Sequence, residues 1–128
     1  MTSILLADDH MLIRRLTKRL LQEETDLAVV GEAANGIDAV KLAAELKPDI
    51  LVTDLSMPGL DGIEVTRQVR KASPQTIVIV LSNWDAGSRA QEAKQAGAVA
   101  YVDKDSADGT LVPVIRAALD RKRNHNGE

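Results

Sequence analysis

Five short aliphatic runs, each followed by a stretch of helical period, constrain this chain more than any other feature. The runs are Ile4-Leu5-Leu6-Ala7, Leu27-Ala28-Val29-Val30, Ile50-Leu51-Val52-Thr53, Ile77-Val78-Ile79-Val80-Leu81 and Val99-Ala100-Tyr101-Val102. They are near-continuous rather than alternating, the pattern of strands covered on both faces. Between them, Ile13, Leu16 and Leu20 share one helical face, with Arg14, Arg15, Lys18 and Arg19 largely elsewhere. Ile37, Val40, Leu42, Ala44 and Leu46 mark a second helix, ended by Pro48. Ile63, Val65, Val69 and Ala72 mark a third, ended near Pro74. The segment from Ser88 to Ala96 offers only Ala90, Ala93 and Ala96, so it predicts a helix with a shallow interface. Leu111, Ile115 and Leu119 mark the last, and Pro113 fits its first turn if Thr110 is the N-cap.

Strand then helix, five times over, predicts an open parallel five-stranded α/β sheet with helices on both faces. A chain of 128 residues makes one domain and buries roughly two thirds of its unfolded surface, enough for a core without staples. We place that domain at residues 1–122, with 123–128 as a polar, frayed tail or the start of a linker. The absence of Cys rules out disulfides, Cys-bound zinc and thiol nucleophiles, and two His cannot make a three-His metal site. No apolar run approaches the ~20 residues of a membrane helix. Met1 to Leu6 lacks the basic start of a signal peptide, so a cytoplasmic location is expected. A net charge of −3 and the lack of Phe argue against direct nucleic-acid binding.

Sheets of this kind bind ligands outside the carboxyl ends of their strands, at the point where strand order reverses. The residues standing there are Asp8 and Asp9 after the first strand and Asp54 after the third. Ser82, Asn83 and Trp84 follow the fourth, and Lys104 follows the fifth. Taken alone, Asp8 or Asp9 reads equally as a helix N-cap, Asp54 as a turn residue and Lys104 as a solvated lysine. Taken together they form a charge constellation. Three carboxylates at one edge repel and call for a cation or raised pKa values. Mg²⁺ binds through one or two carboxylates plus phosphate oxygens. Lys104 supplies a point charge and Ser82 a neutral donor, which suits phosphoryl transfer by positioning and charge neutralisation.

Leu6-Ala7-Asp8-Asp9-His10, Lys47-Pro48-Asp49-Ile50, Asp54-Leu55-Ser56-Met57-Pro58-Gly59-Leu60-Asp61-Gly62, Ala96-Gly97-Ala98 and Tyr101-Val102-Asp103-Lys104 occur in order and at familiar spacing. On these segments, which span about residues 3 to 120, the chain resembles the receiver domain of two-component response regulators. The resemblance implies a CheY-like, flavodoxin-like fold with strand order 2-1-3-4-5. It implies that Asp54 is the phosphoacceptor, that Asp9 and Asp54 bind Mg²⁺ through carboxylates and Ser56 through its backbone carbonyl, and that Asp8 acts on the metal through water. By the same resemblance Ser82 and Lys104 contact the phosphoryl oxygens, and Tyr101 is the switch aromatic that turns into space Ser82 vacates. A strand aromatic with no such role is the alternative for Tyr101.

The implied partners are a sensor histidine kinase or phosphotransfer protein, docking near His10, Arg14 and Thr17, and a second copy of the chain on phosphorylation, through the fourth-helix, fifth-strand, fifth-helix face. Ser56 and Trp84 are expected to border the path of the hydrolytic water. The family often carries a cis proline after the lysine, whereas Asp105 follows here. That Asp and Ser82-Asn83 resemble receivers joined to LuxR-type helix-turn-helix output domains, so the chain is either a stand-alone receiver or the receiver half of a longer regulator of transcription. It is expected to act on itself only, catalysing its own phosphorylation and slow dephosphorylation.

Two other classes compete. An aspartate-nucleophile phosphohydrolase would carry a second Asp two residues after the nucleophile and a substrate cap. Ser56 stands there, and no cap-sized insertion exists. A nucleotide- or flavin-binding module would need a Gly-rich loop after a strand, and Asp8-Asp9-His10 is the opposite of one.

Overall fold

The structure, a computed structural model, describes residues 1–83 and 87–126. Its elements run β1 (Thr2–Ala7), α1 (Met11–Gln22), β2 (Leu27–Ala33), α2 (Gly36–Leu46), β3 (Ile50–Asp54), α3 (Gly62–Ala72), β4 (Ile77–Ser82), α4 (Gly87–Ala96), β5 (Ala100–Asp103), a 3₁₀ turn (Lys104–Ser106) and α5 (Ala107–Asn126). The strands form one sheet in the order β2-β1-β3-β4-β5, parallel throughout. This is the predicted topology.

β3 and β4 are buried at every position. Alternate residues feed two cores. Leu5, Leu51, Val78 and Val80 face one, with Ala39, Ala43, Ile63, Val65 and Val69 from α2 and α3. Ile4, Leu6, Ile50, Val52 and Ile79 face the other, with Leu21 of α1 and Leu111, Ile115 and Ala118 of α5. Near-continuous strands are thus the signature of a sheet with two covered faces.

Several expectations need correction. Leu16 of α1 is 53% exposed, and Leu21 is the residue of that helix buried in the core. In α2, Ile37 and Leu46 are 61% and 42% exposed, Ala44 is exposed, and the buried face is Gly36, Ala39 and Ala43. Small residues carry that face because the helix lies close to its neighbours. A Cβ added to Gly36 would sit 2.2 Å from the Leu60 carbonyl oxygen. β2 continues three residues past the expected run, to Ala33.

α5 begins at Ala107, not after Thr110, so Pro113 stands inside it. Thr110 does not cap; its hydroxyl donates back to the Ser106 carbonyl. An internal Pro leaves the carbonyl four residues back unpaired and crowds it. Here that residue is Gly109, which is solvent-exposed like Pro113, so water can take the orphaned carbonyl. Leu111, Ile115 and Ala118 then anchor the helix on the sheet. The helix runs on to Asn126, through the segment read from sequence as a frayed tail. Among the described residues, no helix is long and apolar enough to cross a membrane. The fourth helix is as shallow as predicted: Ala93 is fully buried, while Ala90 and Ala96 are only partly so.

Candidate functional site

The ends of β1, β3, β4 and β5 meet at one edge. Asp8 follows β1, Asp54 ends β3, Ser82 ends β4, and Lys104 follows β5. β1 lies between β2 and β3, so the chain reverses direction of strand order beside Asp8 and Asp54. Asp54, Ser82 and Asp8 are buried at 3%, 2% and 4% exposure, unlike ordinary polar residues.

Lys104 is not a solvated lysine. Its ammonium reaches Asp54 Oδ2 at 3.0 Å and Asp8 Oδ2 at 3.2 Å, with only 9% of its side chain exposed. The 3₁₀ turn aims it there. Asp103 caps that turn, accepting from the Asp105 N–H at 2.9 Å. The described residues contain no cis peptide bond.

Burial pushes the Asp54 carboxyl above its ordinary pKa, and the neighbouring Asp8 adds to the rise, while Lys104 pulls the other way. Asp54 Oδ1 also accepts from the Ser56 N–H at 3.4 Å. Asp8 Oδ2 has no hydrogen-bond partner, because Lys104 approaches it outside hydrogen-bonding geometry. A buried acceptor without a donor is costly in a closed protein. The carboxylates suit a hard cation or its bound water, and Asp8, Asp9, His10 and Asp54 each offer an atom, all within 4.8 Å of one another. Asp9 and Ser56 are exposed at the rim.

Neither Asp8 nor Asp9 caps α1. The N-cap is His10, with no side-chain cap bond, and Asp8 Oδ1 accepts from the His10 N–H at 2.9 Å. Of the proposed docking residues, His10 has 59% of its side chain exposed and lies at the carboxylates. Arg14 is engaged inside the molecule, donating to the Asp8 carbonyl at 2.7 Å and to Glu32 at 3.1 Å. Thr17 is half-buried and donates to the Ile13 carbonyl. Tyr101 is half-buried on β5 and packs on the core shared with Val78 and Val80. Trp84 lies outside the described residues.

Sequence reading missed the residues that hold this edge in shape. Gly62 brings α3 against the end of β3, where a Cβ would meet the Asp54 carbonyl oxygen at 2.4 Å. Asp61 caps α3 through the Glu64 N–H and takes Arg89 of α4 at 3.2 Å. An Asp-Gly pair before a helical run was the available signal for the cap. No local pattern announces the link to Arg89.

A family profile for the response regulator receiver domain matches residues 4–116. The transcriptional regulatory protein LiaR of Bacillus subtilis (strain 168) is 37% identical over 118 residues, 92% of this chain and 56% of LiaR. The response regulator UvrY of Escherichia coli (strain K12) is 35% identical over 123 residues, 96% of this chain and 56% of UvrY. The chain thus spans a little over half the length of these curated relatives. Among solved structures, a LuxR-family two-component response regulator from Aurantimonas sp. SI85-9A1 superposes with a TM-score of 0.88 at 38% identity, covering 93% of this chain and 85% of that one. The signal receiver domain of NarL from Mycobacterium tuberculosis gives a TM-score of 0.83 at 34% identity, covering 93% and 94%. With the profile spanning most of the sequence and the strand-end carboxylates and lysine gathered at one edge, the chain belongs to the response regulator receiver domains of two-component systems.

Proposed function

We propose that Asp54 accepts a phosphoryl group from a sensor histidine kinase, a phosphotransfer protein or a small phosphodonor. The observation that carries this reading is the buried Lys104 ammonium, 3.0 Å from Asp54 Oδ2 and 3.2 Å from Asp8 Oδ2. Burying a lysine against two carboxylates leaves one carboxylate charge uncompensated, which a cation can balance. An Asp54 oxygen attacks phosphorus while the bond to the donor nitrogen or oxygen breaks on the far side, and the product is an acyl phosphate. Lys104 and the Ser82 hydroxyl hold the transferred oxygens. Asp9 and Asp54 would hold Mg²⁺ through carboxylates, Ser56 through its carbonyl, and Asp8 through a water that fills its orphaned lone pair. Bound there, the ion neutralises the charge that gathers on the phosphoryl oxygens.

Once Ser82 turns to the phosphoryl group, Tyr101 moves into the space it leaves, biasing a two-state element. The domain of residues 1–122 then signals to a LuxR-type output or effector, with residues 123–128 leading toward it, and a second copy of the chain binds the switched face. The setting is cytoplasmic, and the chain turns over no substrate other than its own phosphoaspartate. Phosphorylation is tested by incubation with acetyl phosphate and Mg²⁺, reading intact mass at once. One added phosphoryl group, lost in Asp54→Asn, is expected; no gain in the wild-type chain overturns the proposal.

A further inference from the structure

Among the described residues at this edge, the His10 imidazole is a donor that the phosphoacceptor chemistry does not use. N-cap positions favour side chains that accept from the first helical N–H groups, yet His10 makes no such bond. Its backbone is fixed by Asp8, through the 2.9 Å bond from the His10 N–H to Oδ1. The ring is turned inward, with Nδ1 3.2 Å from Asp9 Oδ1, 3.3 Å from Asp8 Oδ1 and 4.0 Å from Asp54 Oδ2. An octahedral ion with bonds of about 2.1 Å sets neighbouring donors about 3.0 Å apart and opposite donors about 4.2 Å apart. The His10 distances to Asp9 and Asp54 match a neighbouring and an opposite donor. Asp8 Oδ2, on a side chain 6% exposed, is met by the Lys104 ammonium at 3.2 Å but makes no hydrogen bond.

From this geometry we propose that His10 Nδ1 is a direct metal ligand, giving the site a nitrogen donor that favours Mn²⁺ and similar transition-metal ions over Mg²⁺. The inference rests on the metal-assisted reading of Asp54 above and adds the class of ion selected. Carboxylate, carbonyl and water suit Mg²⁺ and Mn²⁺ alike, but imidazole is a poor partner for Mg²⁺ and a good one for transition metals. His10 lies at the rim, so its ring can move the short distance onto an ion without disturbing the core.

The test uses the full 128-residue chain, with histidine labelled in ¹⁵N, loaded with Mn²⁺ and read by pulsed electron paramagnetic resonance. His125 is the other histidine, so His10→Ala isolates the signal. A directly bound histidine nitrogen, present in the wild-type chain and absent in His10→Ala, is expected. Calorimetry on the same samples is expected to show a Mn²⁺ over Mg²⁺ preference that falls at least about tenfold in the variant. Mn²⁺ binding with no His10-dependent nitrogen coupling overturns this inference and leaves the metal reading intact. Failure to bind either ion overturns both.

Discussion

The Lys104 ammonium stands 3.0 Å from Asp54 Oδ2, yet the Asp54 carboxyl still binds its proton more tightly than an ordinary one, because burial outweighs the cation. The site thus trades stability for chemistry. An acid whose pKa is raised by folding contributes stability that is fully present below its unfolded value, about 3.9, and lost as pH rises through the folded value. Asp54→Asn removes the ionisable group, while Lys104 keeps Asp8. In metal-free buffer the variant is expected to melt at a higher temperature than wild type at about pH 7, and at nearly the same temperature at about pH 3. Calorimetry across that range checks it, and an unchanged difference between the two pH values contradicts it.

On the proposed reading, Lys104 holds the phosphoryl oxygens and is not the nucleophile. Lys104→Ala is expected to accept phosphate from acetyl phosphate more slowly, by about tenfold or more, since each ~1.4 kcal/mol of lost stabilisation is one decade. It is also expected to leave Tyr101 unswitched. Tyr101 is the chain's single tyrosine, so its ring resonances report the switch without overlap. A phosphorylated Lys104→Ala chain with the full wild-type shift at Tyr101 contradicts the assignment.

The fold was legible because β3 and β4 are buried at every position and their polar residues, Thr53, Asp54 and Ser82, stand at the carboxyl ends, where they do not interrupt the apolar runs. The helix faces were less so. α1 carries Met11, Leu12, Ile13, Leu16, Leu20 and Leu21, and two helical stripes can be drawn through these six. Tertiary packing chose the one containing Leu21. In α2 a reading weighted by side-chain size selects Ile37 and Leu46, whereas close approach selects Gly36, Ala39 and Ala43. At the site, Asp8, Asp54, Ser82 and Lys104 were legible because each stands at a strand end. The inward turn of the His10 ring and the reach of Arg89 to Asp61 were not, because they depend on side-chain direction and on contacts 28 positions apart in sequence.

Asp61 and Arg89 separate a cap from an ion pair. Both partners are more than a third exposed, so the pair is worth about 0.5 kcal/mol, whereas the cap on the Glu64 N–H is worth about 1 kcal/mol. Arg89→Ala is expected to cost little and to lose its effect in high salt. Asp61→Ala is expected to cost about 1 kcal/mol more, and to keep that excess in high salt. Equal losses from the two variants by chemical denaturation contradict this division.

Gly62 sets how closely α3 approaches the end of β3 at Asp54. Its N–H donates to the Leu55 carbonyl at 2.7 Å, and an added Cβ would lie 2.4 Å from the Asp54 carbonyl oxygen and 2.9 Å from Leu55 Cα. Both obstacles are backbone, which cannot rotate away. Gly62→Ala is expected to destabilise by about 2 kcal/mol or more and to slow phosphorylation by shifting Asp54. Gly109→Ala is the control, since a Cβ there meets nothing within 4 Å. A Gly62→Ala chain as stable as Gly109→Ala contradicts the account.

The lifetime of the phosphorylated state follows from what surrounds the in-line water. Hydrolysis requires a water placed behind the phosphoryl group of Asp54, opposite the bond that breaks. Ser56 is exposed two residues beyond Asp54, and its N–H reaches Asp54 Oδ1 at 3.4 Å, consistent with its expected place beside that path. A hydroxymethyl group is too short to orient a water that an Asn amide can reach. Trp84 is assigned to the same path from sequence alone, and an apolar ring there would exclude water rather than position it. The phosphorylated chain is therefore expected to decay slowly, on a scale that suits control of transcription. Ser56→Asn is expected to speed the loss of phosphate by about tenfold, one added water contact being worth ~1.4 kcal/mol, and Trp84→Glu to speed it as well. The measurement is decay of phosphoprotein after the donor is removed, at fixed Mg²⁺. Unchanged or slower decay in both variants would show that neither side chain controls the water.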